Sequence, residues 1–164
     1  MQLRFGILTV SDRSARGERP DLSGPALEEA VTAHGWAAAR TAIVPDDLNA
    51  IRGILSTWTE EGEVDVLLTT GGTGFAARDV TPEATRLVIE REAPGLAEAM
   101  RAESLKITSH GMLSRAVVGI RGKVLIVNLP GSPKAALENL RVILPVLPHA
   151  VEVLRGEPEA EQHH

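Results

Sequence analysis

Apolar residues recur along this chain with two periods, and the two alternate. Compact apolar runs at Arg4–Val10 (RFGILTV), 38–44, 64–68 and 123–128 (KVLIVN) have the length and β-branched content of buried strands. Between them, apolar side chains fall at helical spacing. Leu27, Ala30 and Val31 mark the inner face of a helix that opens at Ser23, Gly24 and Pro25 and runs through His34 to Gly35. Ile51, Ile54, Leu55 and Trp58 sit at i, i+3, i+4 and i+7 of another, ended by Gly62. Thr81 and Pro82 read as the cap and first residue of a helix carrying Leu87, Val88 and Arg91. Pro94 and Gly95 start the next, through Leu105, and residues 108–111 read as a turn. Residues 113–120 fit a short helix, a strand, or one after the other. Ser132 and Pro133 open a helix through Leu137, Leu140 and Ile143, which Pro145 and Pro148 should kink or split before Leu154. This order with short connections predicts an α/β fold, a three-layer α/β/α domain with a mostly parallel sheet. The domain is expected over residues 1–155, with a polar tail at 156–164 that should fray.

Composition narrows the class. The 164 residues suit one domain, and 43% hydrophobic with 24% charged residues describes a folded globular chain. A net charge of −5, 2% aromatics and no basic run argue against a nucleic-acid partner. Cysteine is absent, which excludes disulfides and thiolate metal sites. No apolar run approaches the roughly 18–20 residues of a membrane span. The first residues enter a strand pattern without signal-peptide anatomy, so no membrane association and a cytoplasmic location are expected.

The candidate chemistry gathers where strands end. Residues 64–68 run into Thr69, Thr70, Gly71, Gly72, Thr73 and Gly74. Ligands of open α/β sheets bind at that edge, and glycines let backbone N–H groups approach them, with threonine hydroxyls as further donors. Asp79 follows. Asp46 and Asp47 come directly after the second strand and Asp12 after the first. Each feature has a plainer reading. The glycines suit a turn with positive φ, Asp46 and Asp79 suit helix capping, Asp12 suits loop hydrogen bonding, and Ser132 is a cap. Together, two carboxylates beside a phosphate-type loop suggest Mg²⁺ bridging to a nucleotide, since otherwise they would repel it. No P-loop is present. Gly72, Gly74 and Ala77 match G-x-G-x-x-A, but the following helix starts too late for a dinucleotide fingerprint. The histidines, His163 and His164 in the tail among them, lack metal-ligand spacing. Glu90, Arg91 and Glu92 read as a solvated helix face and Met100 as core. There is no serine nucleophile elbow.

Six blocks in order, TVSDRSARGERPDLSGPALEE, IVPDD, LLTTGGTGFAARDVTPEATRLVIEREAPG, ESLKIT, LSRAVVGIRG and VLIVNLPGSPKA, resemble the molybdopterin-binding domain of molybdenum-cofactor biosynthesis. The resemblance covers residues 5–154 and extends to stand-alone molybdopterin adenylyltransferases and to the equivalent domain of plant and animal cofactor-insertion proteins. It implies a nucleotidyltransferase that takes ATP and molybdopterin, requires Mg²⁺, and yields adenylylated molybdopterin and pyrophosphate. It matches Asp46 and Asp79 to the functional, metal-holding acids. Gly71, Gly72, Thr73 and Gly74 match the phosphate loop, and Ser11 and Asp12 the first-strand edge of the pocket. Ser104, Ser114, Asn128, Pro130, Gly131 and Ser132 match the segments lining the pterin side. The family is typically trimeric, so a homotrimer is implied, with a metal-insertion protein as a partner. A pterin-binding or scaffolding trimer without catalysis is the alternative. The competence-associated branch, which would imply a nucleotide pyrophosphatase, carries an additional domain.

Overall fold

A computed structural model describes residues 1–160; the expectations for His163 and His164 lie outside the described residues. The strands are β1 (Arg4–Val10), β2 (Ala37–Val44), β3 (Val66–Thr70), β4 (Arg91–Glu92), β5 (Val118–Arg121) and β6 (Val124–Leu129). The α-helices are α1 (Asp12–Ala15), α2 (Ser23–Ala33), α3 (Leu48–Glu60), α4 (Thr81–Val88), α5 (Pro94–Ile107), α6 (Pro133–Ile143) and α7 (Leu147–Arg155). The sheet order is β2-β1-β3-β6-β5-β4. Pairs from β2 to β6 are parallel, and β5 runs antiparallel to both β6 and β4. The fold is therefore a mixed six-stranded sheet between two helical layers.

Strand periodicity sorts the core. Phe5, Ile7, Val66, Leu68, Leu125 and Val127 face one way, against Leu27 and Val31 of α2, Met100 of α5, Leu140 of α6 and Val151 of α7. The alternate positions Leu8, Val10, Leu67 and Ile126 face the other way, against Ile51, Leu55 and Trp58 of α3 and Ala84 and Val88 of α4. The central strands β1, β3 and β6 are thus buried on both faces, which is why they read as unbroken apolar runs. The outer parallel strand β2 alternates between half-buried and exposed positions. Among the described residues, no helix is long and apolar enough to cross a membrane.

Several expectations are corrected. The run expected at 64–68 pairs as Val66–Thr70, and the last strand as Val124–Leu129. Thr69 and Thr70 are therefore buried sheet residues rather than loop donors, and the Thr70 hydroxyl donates to the Pro130 carbonyl at 2.6 Å. Thr81 does not cap α4. Val80 holds that place, and the Thr81 hydroxyl donates to the buried Gly71 carbonyl at 2.9 Å. The helix carrying Leu87 and Val88 stops before Arg91. The Glu90 and Ala93 amides bond instead to the carbonyls of Ile120 and Val118, so residues 91–92 form an edge strand rather than a solvated helix face. The turn expected at 108–111 is a 3-10 helix, Ser109–Leu113, and the ambiguous stretch supplies its end and then β5. Pro145 and Pro148 do split the last helix, through a 3-10 turn at Leu144–Val146. In the tail, the Ala160 amide bonds to the Glu157 carbonyl at 3.0 Å and Ala160 is buried.

Candidate active site

The carboxyl ends of β1, β2, β3 and β6 meet at one edge of the sheet and carry most of the expected site residues. Past β3 the chain turns at Gly71 (φ 105°) and Gly72 (φ 70°). A Cβ on Gly71 would lie 2.3 Å from the Val10 carbonyl oxygen, and one on Gly72 would lie 2.3 Å from Thr81 Oγ1. Both the conformation and the space exclude any side chain, so the turn reading and the functional reading describe the same glycines. The Gly71 amide is committed to the Leu129 carbonyl at 3.1 Å. Among the described residues, the loop donors left for a ligand are then those of Gly72, Thr73 and Gly74.

Two clefts open here. One, of about 280 Å³, is lined by Ser11, Asp46, Gly71, Gly72, Asp79, Gly131 and Ser132, with Arg19 as a cation in its wall. The N-terminal residues of two helices, Leu22 and Ser23 at α2 and Ser132 and Pro133 at α6, also face it. Their partial positive charge favours an anion, although the Gly24 amide is already taken by Asp21 Oδ1 at 3.0 Å and the Ala135 amide by Ser132 Oγ at 3.2 Å. The other cleft, of about 370 Å³, is lined by Thr73, Gly74, Ser104, Ser114 and Pro130 together with apolar Phe75, Ile107 and Leu113. The loop at 71–74 passes from the first cleft to the second.

The carboxylates are held in distinct ways. Asp46 Oδ2 accepts from the Asp12 amide and Asp12 Oδ1 accepts from the Asp46 amide, both at 3.0 Å. Arg78 grips Asp12 with Nε at 2.7 Å and Nη2 at 2.9 Å, and this pairing holds the Asp12 carboxyl down to about 2. Asp46 is pushed up, first by burial and then by the charges of Asp12 and Asp79, against the pull of the Asp12 amide. Asp47, not Asp46, caps α3, accepting from the Ala50 amide. Asp79 Oδ2 accepts from the Ala76 amide at 3.0 Å and closes a turn within its own loop. Among the described residues no three His, Cys, Asp or Glu side chains converge as a metal cage. Asp21, Asp46 and Asp79 share the wall of one cleft; Asp21 is taken up by the Thr9 hydroxyl at 2.7 Å and the Gly24 amide at 3.0 Å, so Asp46 and Asp79 are the pair that could hold a cation together with a substrate's oxygens.

Residues 6–149 match the family model described as "Probable molybdopterin binding domain". The chain belongs to this family. It is 46% identical over 156 residues to the molybdenum cofactor synthesis protein cinnamon of Drosophila melanogaster, covering 93% of this chain and 26% of that protein. The chain thus spans about a quarter of the fly protein's length. It is 40% identical over 156 residues to the molybdopterin adenylyltransferase of Helicobacter pylori strain J99, covering 94% of this chain and 89% of that one. The crystal structure of the molybdopterin biosynthesis enzyme MoaB from Thermus thermophilus superposes with a TM-score of 0.89 at 49% identity, covering 96% of this chain and 99% of that one.

Within this molybdopterin-binding domain, the residues assigned by resemblance separate. Ser104, Ser114 and Pro130 line the apolar cleft, while Gly131 and Ser132 line the other. Asn128 lines neither cleft and is fully buried. Its Oδ1 accepts from the Val117 amide at 3.0 Å, and its Nδ2 donates to Thr69 Oγ1 at 3.1 Å and Thr85 Oγ1 at 2.9 Å. It ties β6 to β3, α4 and the entry to β5. Sequence reasoning missed Arg78, Arg19, Asn139, whose amide donates to Ser104 Oγ at 2.9 Å, and Arg115. The blocks DRSARGERPD and LSRAVVGIRG contain two of these arginines, but nothing local says what they reach.

Two outcomes are expected. Arg78→Ala should move the Asp12 titration from about 2 toward the ordinary 3.8, followed by carboxyl NMR. Because the folded value lies below 3.8, the pair's contribution to stability is complete above that pH and is lost as pH falls through about 2. The variant should therefore be less stable than the parent at every pH above 3.8, and the gap between the two should close as pH falls from 3.8 through about 2. Asn128→Ala leaves buried groups unpaired and should cost about 1–3 kcal/mol in urea unfolding.

Proposed function

We propose that this chain is a molybdopterin adenylyltransferase, acting as a homotrimer with Mg²⁺ and handing its product to a metal-insertion partner. An oxygen of the terminal phosphate of molybdopterin attacks the α-phosphorus of ATP. The bond from the α-phosphorus to the bridging oxygen breaks, and pyrophosphate leaves with that electron pair. The observation that carries this reading is the placement of Asp46 and Asp79 on the wall of the same cleft as the side-chain-free loop at Gly71 and Gly72.

The chemistry asks for positioning and charge stabilisation more than for covalent help. The amides of Gly72, Thr73 and Gly74, the two helix N-termini and Arg19 suit phosphate oxygens. The apolar cleft suits a flat pterin ring, with Ser104 and Ser114 as polar contacts. The donor set fits Mg²⁺. Its carboxylate oxygens are hard ligands, and burial followed by the neighbouring carboxylates raises Asp46, a cost that a cation would relieve. Gly72 stands where a Cβ would come within 3.2 Å of Asp46 Oδ1, so the absence of a side chain keeps that oxygen open. Bound there by Asp46 and Asp79, Mg²⁺ would neutralise charge on the triphosphate. The bonds between Asp12 and Asp46 hold that side of the pair in place.

The test is incubation of purified protein with molybdopterin, ATP and Mg²⁺, with mass detection of an AMP-bearing pterin and of pyrophosphate. Product requiring all three supports the reading. Pterin binding without product would make the chain a binding or scaffolding protein. Asp79→Ala should lower kcat by about 10²–10³-fold while changing molybdopterin Kd little. Asp46→Asn should lose activity on the same scale but keep or raise the thermal midpoint near neutral pH. It retains an acceptor for the Asp12 amide and removes a charge that burial disfavours.

A further inference from the structure

Asp79 sits at the end of an exposed excursion from the sheet, residues 75–78, which pairs with no strand. Its internal bonds, Asp79 amide to Ala76 carbonyl and Ala76 amide to Asp79 Oδ2, shape a turn but do not attach it to the domain. Arg78 reaches Asp12 from this excursion through an exposed side chain, a contact that does not involve the excursion's backbone. The base of the excursion is closed by the Thr81 amide on the Gly72 carbonyl at 3.1 Å, and among the described residues the carbonyls of Thr73, Gly74 and Asp79 beyond that base are held by one residue across the site. Arg115 lies between the Ser109–Leu113 3-10 helix and β5. Its amide donates to the Thr73 carbonyl at 2.9 Å. Its guanidinium donates from Nε to the Gly74 carbonyl and from Nη2 to the Asp79 carbonyl, both at 2.8 Å. Nη1 meets both carboxylate oxygens of Glu83, in the first turn of α4, at 2.9 Å.

One planar fork therefore collects the backbone at both ends of the excursion, and a carboxylate on α4 holds the fork. The rigid five-donor geometry of arginine suits this; a lysine ammonium is a single point and cannot span both carbonyls. The sheet core does not need the contact. The apolar strands and helices pack without Arg115, whose side chain is about one-third exposed at 36%. Asp79 in turn must stand opposite Asp46 for the two to act on one ion.

We propose that Arg115, anchored by Glu83, is a positioning residue that sets the place of Asp79 relative to Asp46. Its kinetic consequence rests on the adenylyl-transfer reading above; its structural consequence does not. Arg115 touches no reacting atom. It acts by holding the Gly74 and Asp79 carbonyls, and loss of that hold lets Asp79 drift from the cation while leaving the carboxylate itself intact.

The experiment compares the full chain with Arg115→Ala, Arg115→Lys and Glu83→Gln. Amide hydrogen exchange reports the structural part. Exchange at Ala76 and Asp79 should speed up by about tenfold or more in Arg115→Ala, and less in Glu83→Gln, while β1 and β3 stay protected. With ATP and molybdopterin, kcat should fall by about 10²-fold, the scale of a small misplacement of a catalytic group. The Mg²⁺ concentration for half-maximal rate should rise by about tenfold, and excess Mg²⁺ should recover part of the rate because mass action draws a displaced ligand back. Added guanidinium, below denaturing levels, should restore Arg115→Ala but not Arg115→Lys. Unchanged exchange at Ala76 and Asp79 overturns the proposal whatever the activity. Faster exchange throughout β1 and β3 also overturns it, since Arg115 would then be a general stabiliser. A wild-type chain that forms no AMP-bearing pterin sinks the functional reading alone, and exchange still decides Arg115. If Arg115→Ala does not fold, the lysine and Glu83→Gln variants give the same readouts.

Discussion

The chain has one way to leave β3. It passes against the Val10 carbonyl at the end of β1, so near that a Cβ on Gly71 would lie 2.3 Å from that oxygen. The next residue turns under Thr81, whose hydroxyl takes the Gly71 carbonyl. These two contacts bring the exit of the central strand, the exit of its neighbour and the start of α4 to one point. The cleft wall, the free loop amides and the approach of Asp46 and Asp79 all follow from that packing. A side chain at either glycine would push these elements apart before it disturbed any ligand.

Charge at this point is poised rather than balanced. Asp12 is satisfied by Arg78 and stays ionised far into acid. Asp46, partly buried and facing like charges, bears the cost of the arrangement. Helix N-termini at α2 and α6 and the nearby Arg19 favour an anion in the same space. A site with both acidic and anion-binding walls is coherent when a cation and a phosphate arrive together.

Legibility differed between residue types. Asp46, Asp79 and the glycine loop were readable because each follows a strand whose direction the apolar pattern predicts. Ser104 and Ser114 came only through resemblance, since one lies in α5 and the other past a 3-10 helix, far from any strand end in sequence. Asn128 was placed in the right region but with the wrong surroundings. It sits near the end of an apolar strand, and only the neighbouring Thr69, Thr85 and Val117 show its amide to be spent inside the protein. Arg78 and Arg115 were invisible for a different reason. An arginine reads as solvated until its partner, 66 residues away for Asp12 and 41 or 36 for the carbonyls of Gly74 and Asp79, is brought beside it.

The sequence alone determined the parallel core, the helices that cover it and the edge where chemistry gathers. Those depend on local periodicity and on residues that cap, turn or stop an element, all of which act within a few positions. Tertiary structure decided the rest. β5 exists because it pairs along the edge of β6, and β4 because β5 then accepts the amides of Glu90 and Ala93, a stronger pull than any preference of a two-residue segment for itself. The division into a polar and an apolar cleft, and the fork that holds the Asp79 loop, arise from side chains meeting across long sequence separations. No local pattern encodes those meetings, because their energy appears only once the fold has brought the partners together.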